Sequence, residues 1–481
     1  MKKKFLLALL AVLAMVLIAA CGNGNGGTEA PPANDPPQQN QEETPATPPV
    51  TGNESGWQLP DGRIAGLEGE LIVAGAARQF NVSDPDLGGA FEYFQEFYPN
   101  FRTTIFDRGN EGGALGHLQT LIAAGTPPDV YITDSGDVRN LVRLGMIEDI
   151  TGFFDVFPEY HASLIPQATD LNTVDGRIYG VTWQLLPRAW ITNVDLFERM
   201  GIDLPGPDWT VDDFIEINAR FGANRSLGIS GVQGEQHIIV HQFLMAFNIT
   251  GSTFEGDLEL SAFADDPNAI RAVEAMIASG VFDTDTQFTG AEIDAFGPWP
   301  AFFTRGHSAW QPWSVWGQPI NRQTGEILMN WTVLPPPRGP EGHRGGNSGT
   351  ITMALFPGTP NADLAFKYIM ASTSQHFVEN AYVVNMGANP PAVYPAGFRA
   401  DEIRFPVGFP PVAMNHVTHP DNAAALAGWE LAVSYMVQDP FSVVGIMNNH
   451  IVAYVIPGTR SIADMLREYD NWRNGYLRAG Q

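Results

Sequence analysis

Leu118-Gln119-Thr120-Leu121-Ile122-Ala123-Ala124-Gly125-Thr126-Pro127-Pro128-Asp129-Val130-Tyr131-Ile132 carries a helix, its stop and a strand in one short run. Residues 115–124 have helical apolar spacing, and Gly125 closes the helix because it tolerates the left-handed backbone a helix end adopts. Asp129-Val130-Tyr131-Ile132 is a β-prone run. Upstream, residues 70–75 form a short β-rich run ending in glycine. Residues 90–97 repeat apolar side chains at i, i+3 and i+4 and stop before Pro99, and residues 101–106 read as a second strand. Downstream, residues 138–144 read as a helix ended by Gly145. Strand and helix alternate, which predicts an α/β domain with a largely parallel sheet. Further helices are expected at 194–201, 210–221, 267–279, 361–371, 424–436 and 461–473. Thr210, with acids three residues on, is a helix start. Pro335-Pro336-Pro337 reads as an extended connector, and the chain shows no internal repeat.

The amino terminus has a different character. Lys2, Lys3 and Lys4 precede a 16-residue apolar run from Phe5 to Ala20, and Ile18-Ala19-Ala20-Cys21 ends at the sole cysteine of the chain. The run is short for a membrane span, which needs about 20 residues, so an export signal is the better reading. Ile-Ala-Ala-Cys resembles the lipobox of bacterial lipoproteins, where lipid is attached to the cysteine and the signal is cut before it. Residues 1–20 are then a lipoprotein signal peptide, Cys21 the lipidation site, and the remainder extracytoplasmic and held to the membrane by acyl chains. Residues 21–66 are rich in Gly, Pro, Asn, Gln and Glu and are expected to be a flexible tether. A lone cysteine forms no internal disulfide.

Composition narrows the partners. Removing residues 1–20 takes three lysines and no acid, which moves the formal charge from −27 to −30. Such a surface disfavours nucleic acid and anionic lipid. After Cys21 the one lysine is Lys367, between Phe366 and Tyr368, so a phosphate-binding Gly-Lys-Ser/Thr loop does not exist. Gly22, Gly24 and Gly27 match a dinucleotide fingerprint only by accident, without the strand and helix that it requires. About 420 residues remain for folding, too many for one ordinary core and suited to two domains.

Several segments fall into a known order. Residues 118–130 resemble the "aaG-x-x-PDv" signature of family 1 extracellular solute-binding proteins, the capture components of ABC importers for sugars and related solutes. Asp175-Gly176-Arg177-Ile178-Tyr179-Gly180-Val181 resembles the family's "dGk-iYGvP". Ile191-Thr192-Asn193-Val194-Asp195-Leu196-Phe197 resembles "YNkdlf", and Met200-Gly201-Ile202 with Trp209-Thr210 resembles "kaGi…TW". Phe303-Thr304-Arg305-Gly306-His307-Ser308-Ala309-Trp310 resembles "f-x-x-Gk-aAm", with Trp316 where the family often has tryptophan. Val333-Leu334-Pro335 with Gly345-Gly346 is similar to "v-x-P…gg", and residues 362–372 to a "s-k-x-x-e-A-x-k-f" helix. The resemblance spans about 68–475. It departs from the family at Thr182, which replaces the proline of "YGvP", and at Thr192, which replaces the tyrosine of "YN".

The resemblance implies a two-lobe periplasmic-binding-protein-like fold, with a hinge and a ligand cleft between the lobes. Residues 67–184 plus 348–402 would form lobe 1, and 188–345 plus 405–481 lobe 2. It also implies a monomer that takes a small-molecule solute, foremost an oligosaccharide, and delivers it to ABC permease subunits. No cofactor or metal is implied.

Sugar recognition pairs aromatic rings against apolar C–H faces with directional partners for the hydroxyl rim. Aromatic contacts between side chains contribute about 0.5–1.5 kcal/mol beyond area burial, a guide to scale. Trp299, Trp310, Trp313 and Trp316 cluster within 18 residues, and Trp183 and Trp190 flank the expected hinge. Candidate ligand residues are Trp183, Trp316, Trp313, Trp310, Trp299, Asp134, Asn193 and Arg188; core packing is the alternative for every tryptophan. Asp134, just past a strand, stands where open α/β sheets bind ligands, and could accept hydroxyls or cap the next helix. Asn193 reads more as support for cleft backbone than as a contact. Trp209 and Trp472 read as structural. Arg188, Arg305 or Arg399 at the cleft would suit a uronate.

Other chemistry is thinly supported. His237 and His241 have helical metal spacing without a third ligand, and Asp283-Thr284-Asp285-Thr286-Gln287-Phe288 lacks the glycine of a calcium loop. The sequence has no G-x-S-x-G elbow. Two alternatives to solute capture remain: a secreted carbohydrate-active enzyme using paired carboxylates, and a surface lipoprotein docking a partner protein.

Overall fold

A computed structural model describes residues 56–76, 89–108, 114–233, 236–249, 251–255, 258–283, 287–296, 301–313, 319, 328–346, 348–377, 380 and 445–479. Their strands are β1 (Gly69–Gly75), β2 (Phe101–Asp107), β3 (Val130–Asp134), β4 (Thr173–Val174), β5 (Arg177–Ile178), β6 (Val181–Pro187), β7 (Ala189–Asn193), β8 (Ser230–Val232), β9 (Ser252–Glu255), β10 (Leu258–Ser261), β11 (Ser308–Trp313), β12 (Trp331–Leu334) and β13 (Ser348–Leu355). Two larger sheets organise them, in the orders β2-β1-β3-β13-β6 and β12-β7-β11-β8.

In the first sheet β1 runs parallel to β2 and β3, while β13 is antiparallel to both β3 and β6. The pleat sends Leu71, Val73, Val130, Ile132, Met353 and Leu355 to one face, and Ala74, Tyr131 and Ala354 to the other. Helices Gly89–Phe97 and Ala362–Ser372 cover the first face with Tyr93, Phe94, Phe366 and Ile369. Helices Ala114–Ala123 and Ser135–Arg143 cover the second with Leu118, Leu121, Val138 and Leu141. Both faces are dry, which is why these strands read as apolar runs rather than as alternation.

The decisive stretch folds as its residues dictate. Gly125 has φ +74°, its N–H donates to the Ile122 carbonyl and that of Thr126 to the Leu121 carbonyl, both at 3.0 Å. This is a Schellman end, repeated at Gly145 and Gly201. Asp129 then clasps two segments: its carboxylate accepts from the Ile72 N–H (2.7 Å) on β1, and from the Thr359 hydroxyl and Asn361 Nδ2 (3.1 Å) in the loop after β13. Asp175 (φ 51°) and Gly176 (φ 76°) make the two-residue turn between β4 and β5.

The second sheet packs on helices Val194–Met200, Val211–Gly222 and Gln236–Ala246. Thr210 and Asp213 form a reciprocal capping box at the second of these, worth about 1 kcal/mol. Pro267–Ala278, Gly445–His450 and Ile462–Ala479 complete that core through Met276, Met447, Met465, Leu466 and Tyr469. The helices expected at 194–201, 210–221, 267–279, 361–371 and 461–473 are present within a few residues, and the last runs on to Ala479. The one expected at 424–436 lies outside the described residues.

The expected tether, 21–66, includes residues that pack against the folded chain. Composition assigns residues 56–66 to it, yet Ile64 is 2% exposed, its N–H donates to the Tyr98 hydroxyl, and Trp57 packs edge-on against Tyr160. A few well-spaced apolar side chains suffice to dock this short segment on a preformed surface, although its average composition is polar.

Candidate functional site

The strand directions set the site. Carboxyl ends of β1, β2, β3 and β6 share one edge of the first sheet with the start of β13. Carboxyl ends of β8, β11 and β12 share an edge of the second sheet with the start of β7. The chain leaves the first edge at Pro187 and enters the second at Ala189, so Arg188 alone separates them. Open α/β sheets bind ligands outside such carboxyl ends.

On the first edge stand Arg108, Asp134 and Asp137. Arg108 Nη2 lies 3.6 Å from Asp134 and its Nη1 3.9 Å from Asp137, ion-pair distances rather than hydrogen bonds. The arginine is largely buried, and its backbone N–H donates to the Gly75 carbonyl. Asp137 accepts from the Thr133 hydroxyl at 3.0 Å. Asp134 occupies the N-cap position of helix Ser135–Arg143 but makes no side-chain cap bond, and its side chain is 57% exposed. The helix-cap reading of Asp134 is therefore not realised.

Desolvation raises both carboxyls above the ordinary aspartate range, partly offset by Arg108, and for Asp137 the neighbouring Asp134 adds to it. Open to water yet hemmed in by protein is the condition of a carboxylate in a recess. His117, which contacts the Tyr131 hydroxyl at 3.2 Å, has its pKa lowered by burial and by Arg108.

The other expected ligand residues divide. Trp183 is 2% exposed within the core of the first sheet, and Trp310 is fully buried in the core of the second. Trp310 lies 5.8 Å from Trp190 and 5.6 Å from Trp209, ring centre to ring centre. Both indoles are core residues rather than a stacking platform, because the pleat turns them inward. Asn193 is also buried: its side chain accepts from the Leu196 N–H at 2.9 Å, and it sits at the end of β7 away from Arg188. It caps a helix and touches no open edge. Arg188 is half-buried at the crossover. Trp313 ends β11, its backbone paired with Ala189 beside Arg188. Trp299, Trp316 and Cys21 lie outside the described residues.

Sequence reasoning misses Arg108 and Asp137. The rule that picks Asp134, polar residues just past a strand, finds both when it is applied to β2 and to the next helical turn. Among the described residues no cluster of metal-ligating side chains occurs.

Residues 83–375 match the model of the family described as bacterial extracellular solute-binding protein. The chain belongs to this family. A curated Brucella abortus (strain 2308) protein, named as a candidate binding protein, is 25% identical over 259 residues, 53% of this solute-binding protein and 60% of its own length. The match thus spans less than two thirds of the curated relative. An ABC substrate-binding protein from Listeria monocytogenes, in complex with cycloalternan, has a TM-score of 0.61 at 18% identity, covering 85% of this chain and 99% of that one. The sugar-binding protein of Xanthomonas citri has a TM-score of 0.60 at 18% identity, covering 85% and 98%. At such identities the likeness is one of fold, and it makes the architecture the two-lobe periplasmic-binding-protein type.

Proposed function

We propose that this solute-binding protein is the lipid-anchored, extracytoplasmic capture component of an ABC importer, acting as a monomer on a carbohydrate, foremost an oligosaccharide. The observation that carries the reading is the pair of carboxyl-end edges joined at Arg188, with Arg108, Asp134 and Asp137 on one and Trp313 at the end of the other. A hydroxyl-rich solute between them would meet carboxylate acceptors from lobe 1 while lobe 2 closes over it, with 67–184 plus 348–402 and 188–345 plus 405–481 as the moving bodies. Ligand favours the closed form because only that form touches it from both sides. The solved relatives support the solute class: one holds cycloalternan and another is named a sugar-binding protein. The task is binding and release without bond cleavage.

The test is a thermal-shift screen of residues 28–481 against mono- and oligosaccharides, uronates, polyols, amino acids and polyamines. A ligand at 100 times its Kd adds about 2.7 kcal/mol, a visible shift. An oligosaccharide hit is the expected outcome; a hit confined to amino acids or polyamines would replace carbohydrate as the class, and turnover of a chromogenic glycoside would overturn binding as the function. Cys21→Ser is expected to release the protein from membranes, and retention would argue for an uncleaved anchor.

A further inference from the structure

Arg63 is the first basic residue after Lys4, so no lysine or arginine interrupts the stretch between them. It sits in a hairpin. Gln58 and Ile64 form an antiparallel bridge, the Leu59 N–H donates to the Arg63 carbonyl (2.7 Å), and that of Ala65 to the Trp57 carbonyl (2.8 Å). Leu59-Pro60-Asp61-Gly62 makes the turn: the Gly62 N–H donates to the Leu59 carbonyl at 2.9 Å, and Gly62 has φ +88°. Proline in second place and a left-handed glycine in fourth suit a type I turn of a short hairpin.

A lone hairpin is marginal in water, so this one depends on the surface it docks against. The Ile64 N–H donates to the Tyr98 hydroxyl at 2.9 Å, and Arg63 Nη1 to the Phe97 carbonyl at 2.9 Å. Trp57 meets Tyr160 edge-on, with ring centres 6.1 Å apart. Gly62 lies against His376, where a Cβ would stand 3.4 Å from that of the histidine, and His376 Nδ1 contacts the Tyr93 hydroxyl at 2.8 Å. Tyr93, Phe97, Tyr98 and Tyr160 all pack with the core of the first sheet.

Docking closes off the bond after Arg63. The guanidinium is held on two sides, by Asp61 at 2.7 Å from Nε and by the Phe97 carbonyl, and the next residue, Ile64, is buried. An arginine-directed protease needs the opposite: a free guanidinium for its acidic pocket and an extended, accessible chain on both sides of the bond. It therefore acts on the opened segment.

We propose that residues 57–65 are a clasp that fastens the tether to the helices of the first sheet and withholds the Arg63–Ile64 bond from arginine-directed proteases, which cut it only when the clasp opens. The cut adds one water across that amide and leaves a carboxylate on Arg63 and a free amine on Ile64. It separates residues 64–481 from all that precede them. Where lipid on Cys21 holds the protein, opening of the clasp then decides whether the folded part stays on the membrane. That consequence alone rests on the lipid-anchored reading.

Limited trypsin digestion of the full chain, followed by mass spectrometry, tests it. The reference is a synthetic peptide of residues 55–69, which has no surface to dock on. The wild-type protein should be cut after Arg63 at least about a hundredfold more slowly than the peptide. Tyr98→Phe keeps the ring and removes the acceptor of the Ile64 N–H, and should speed this cut about tenfold while cuts elsewhere hold their rates. Trp57→Ala is the second variant should Tyr98→Phe fail to fold, and should act in the same direction. Neither alters the residues next to the bond, so the intrinsic preference of the protease is unchanged. Cleavage at the peptide's rate, variants without effect, or a rise shared by every tryptic site would overturn the proposal. The readout uses neither solute nor membrane, so failure of the capture or anchor reading would leave this one standing.

Discussion

The two lobes spend their chemistry differently. The second gathers Trp190, Trp209 and Trp310 within 5.3–5.8 Å of one another and buries them all. The first leaves a charged trio, Arg108, Asp134 and Asp137, at the edge of its sheet. Tryptophan abundance draws attention to the second lobe as the place of sugar stacking, but these indoles stabilise its core. In the proposed function, recognition by described side chains falls to the polar edge of the first lobe and to the crossover.

The comparison can be broken most forcefully at Trp310. Trp310→Ala should cost about 3–5 kcal/mol of stability, read by denaturant unfolding, because it empties the centre of a packed aromatic group. Unchanged stability with lost carbohydrate binding would return this indole to the site. Trp190→Phe should cost about 1–3 kcal/mol, since its Nε1 donates to Gln242 Oε1 at 2.9 Å and the amide would be left buried without that donor.

Asp134→Asn should do the reverse: weaken the carbohydrate found in the screen about tenfold by titration calorimetry, with no loss of stability at pH 7. The sign follows from linkage. The folded pKa of Asp134 is raised, so the native state binds more protons than the unfolded state between the ordinary aspartate pKa of 3.8 and that raised value. The aspartate's contribution is thus most favourable below 3.8 and declines as pH rises through the folded pKa. Melting temperatures should place the D134N variant level with the wild type or slightly above it at neutral pH, with the gap closing in acid. A large destabilisation at pH 7 would make Asp134 structural and erase the contrast between the lobes.

Much of the fold was legible because its signals are local. Gly125, Gly145 and Gly201 end helices through bonds spanning five residues, and Thr210 with Asp213 starts one through bonds spanning three. The site was less legible. Whether a tryptophan on β11 faces a core or an edge depends on pairing with β7, more than a hundred residues earlier in the chain. Trp310 stands opposite Thr192 and Trp313 opposite Ala189, and nothing in the residues around either tryptophan marks that register. Trp183 reads as a hinge contact and is the extra residue of a bulge, for which the neighbouring sequence carries no mark.

The sequence by itself determined the alternation of strands and helices, the helix ends and the net negative charge. Each of these is settled by a few adjacent residues or by composition. Only the tertiary structure decided which indoles are buried, that Asp134 leaves its helix uncapped beside Arg108, and that Ile64 and Trp57 dock on Tyr98 and Tyr160. These depend on strand register and on contacts between distant segments, and a one-residue slip in register would turn every such side chain to the other face.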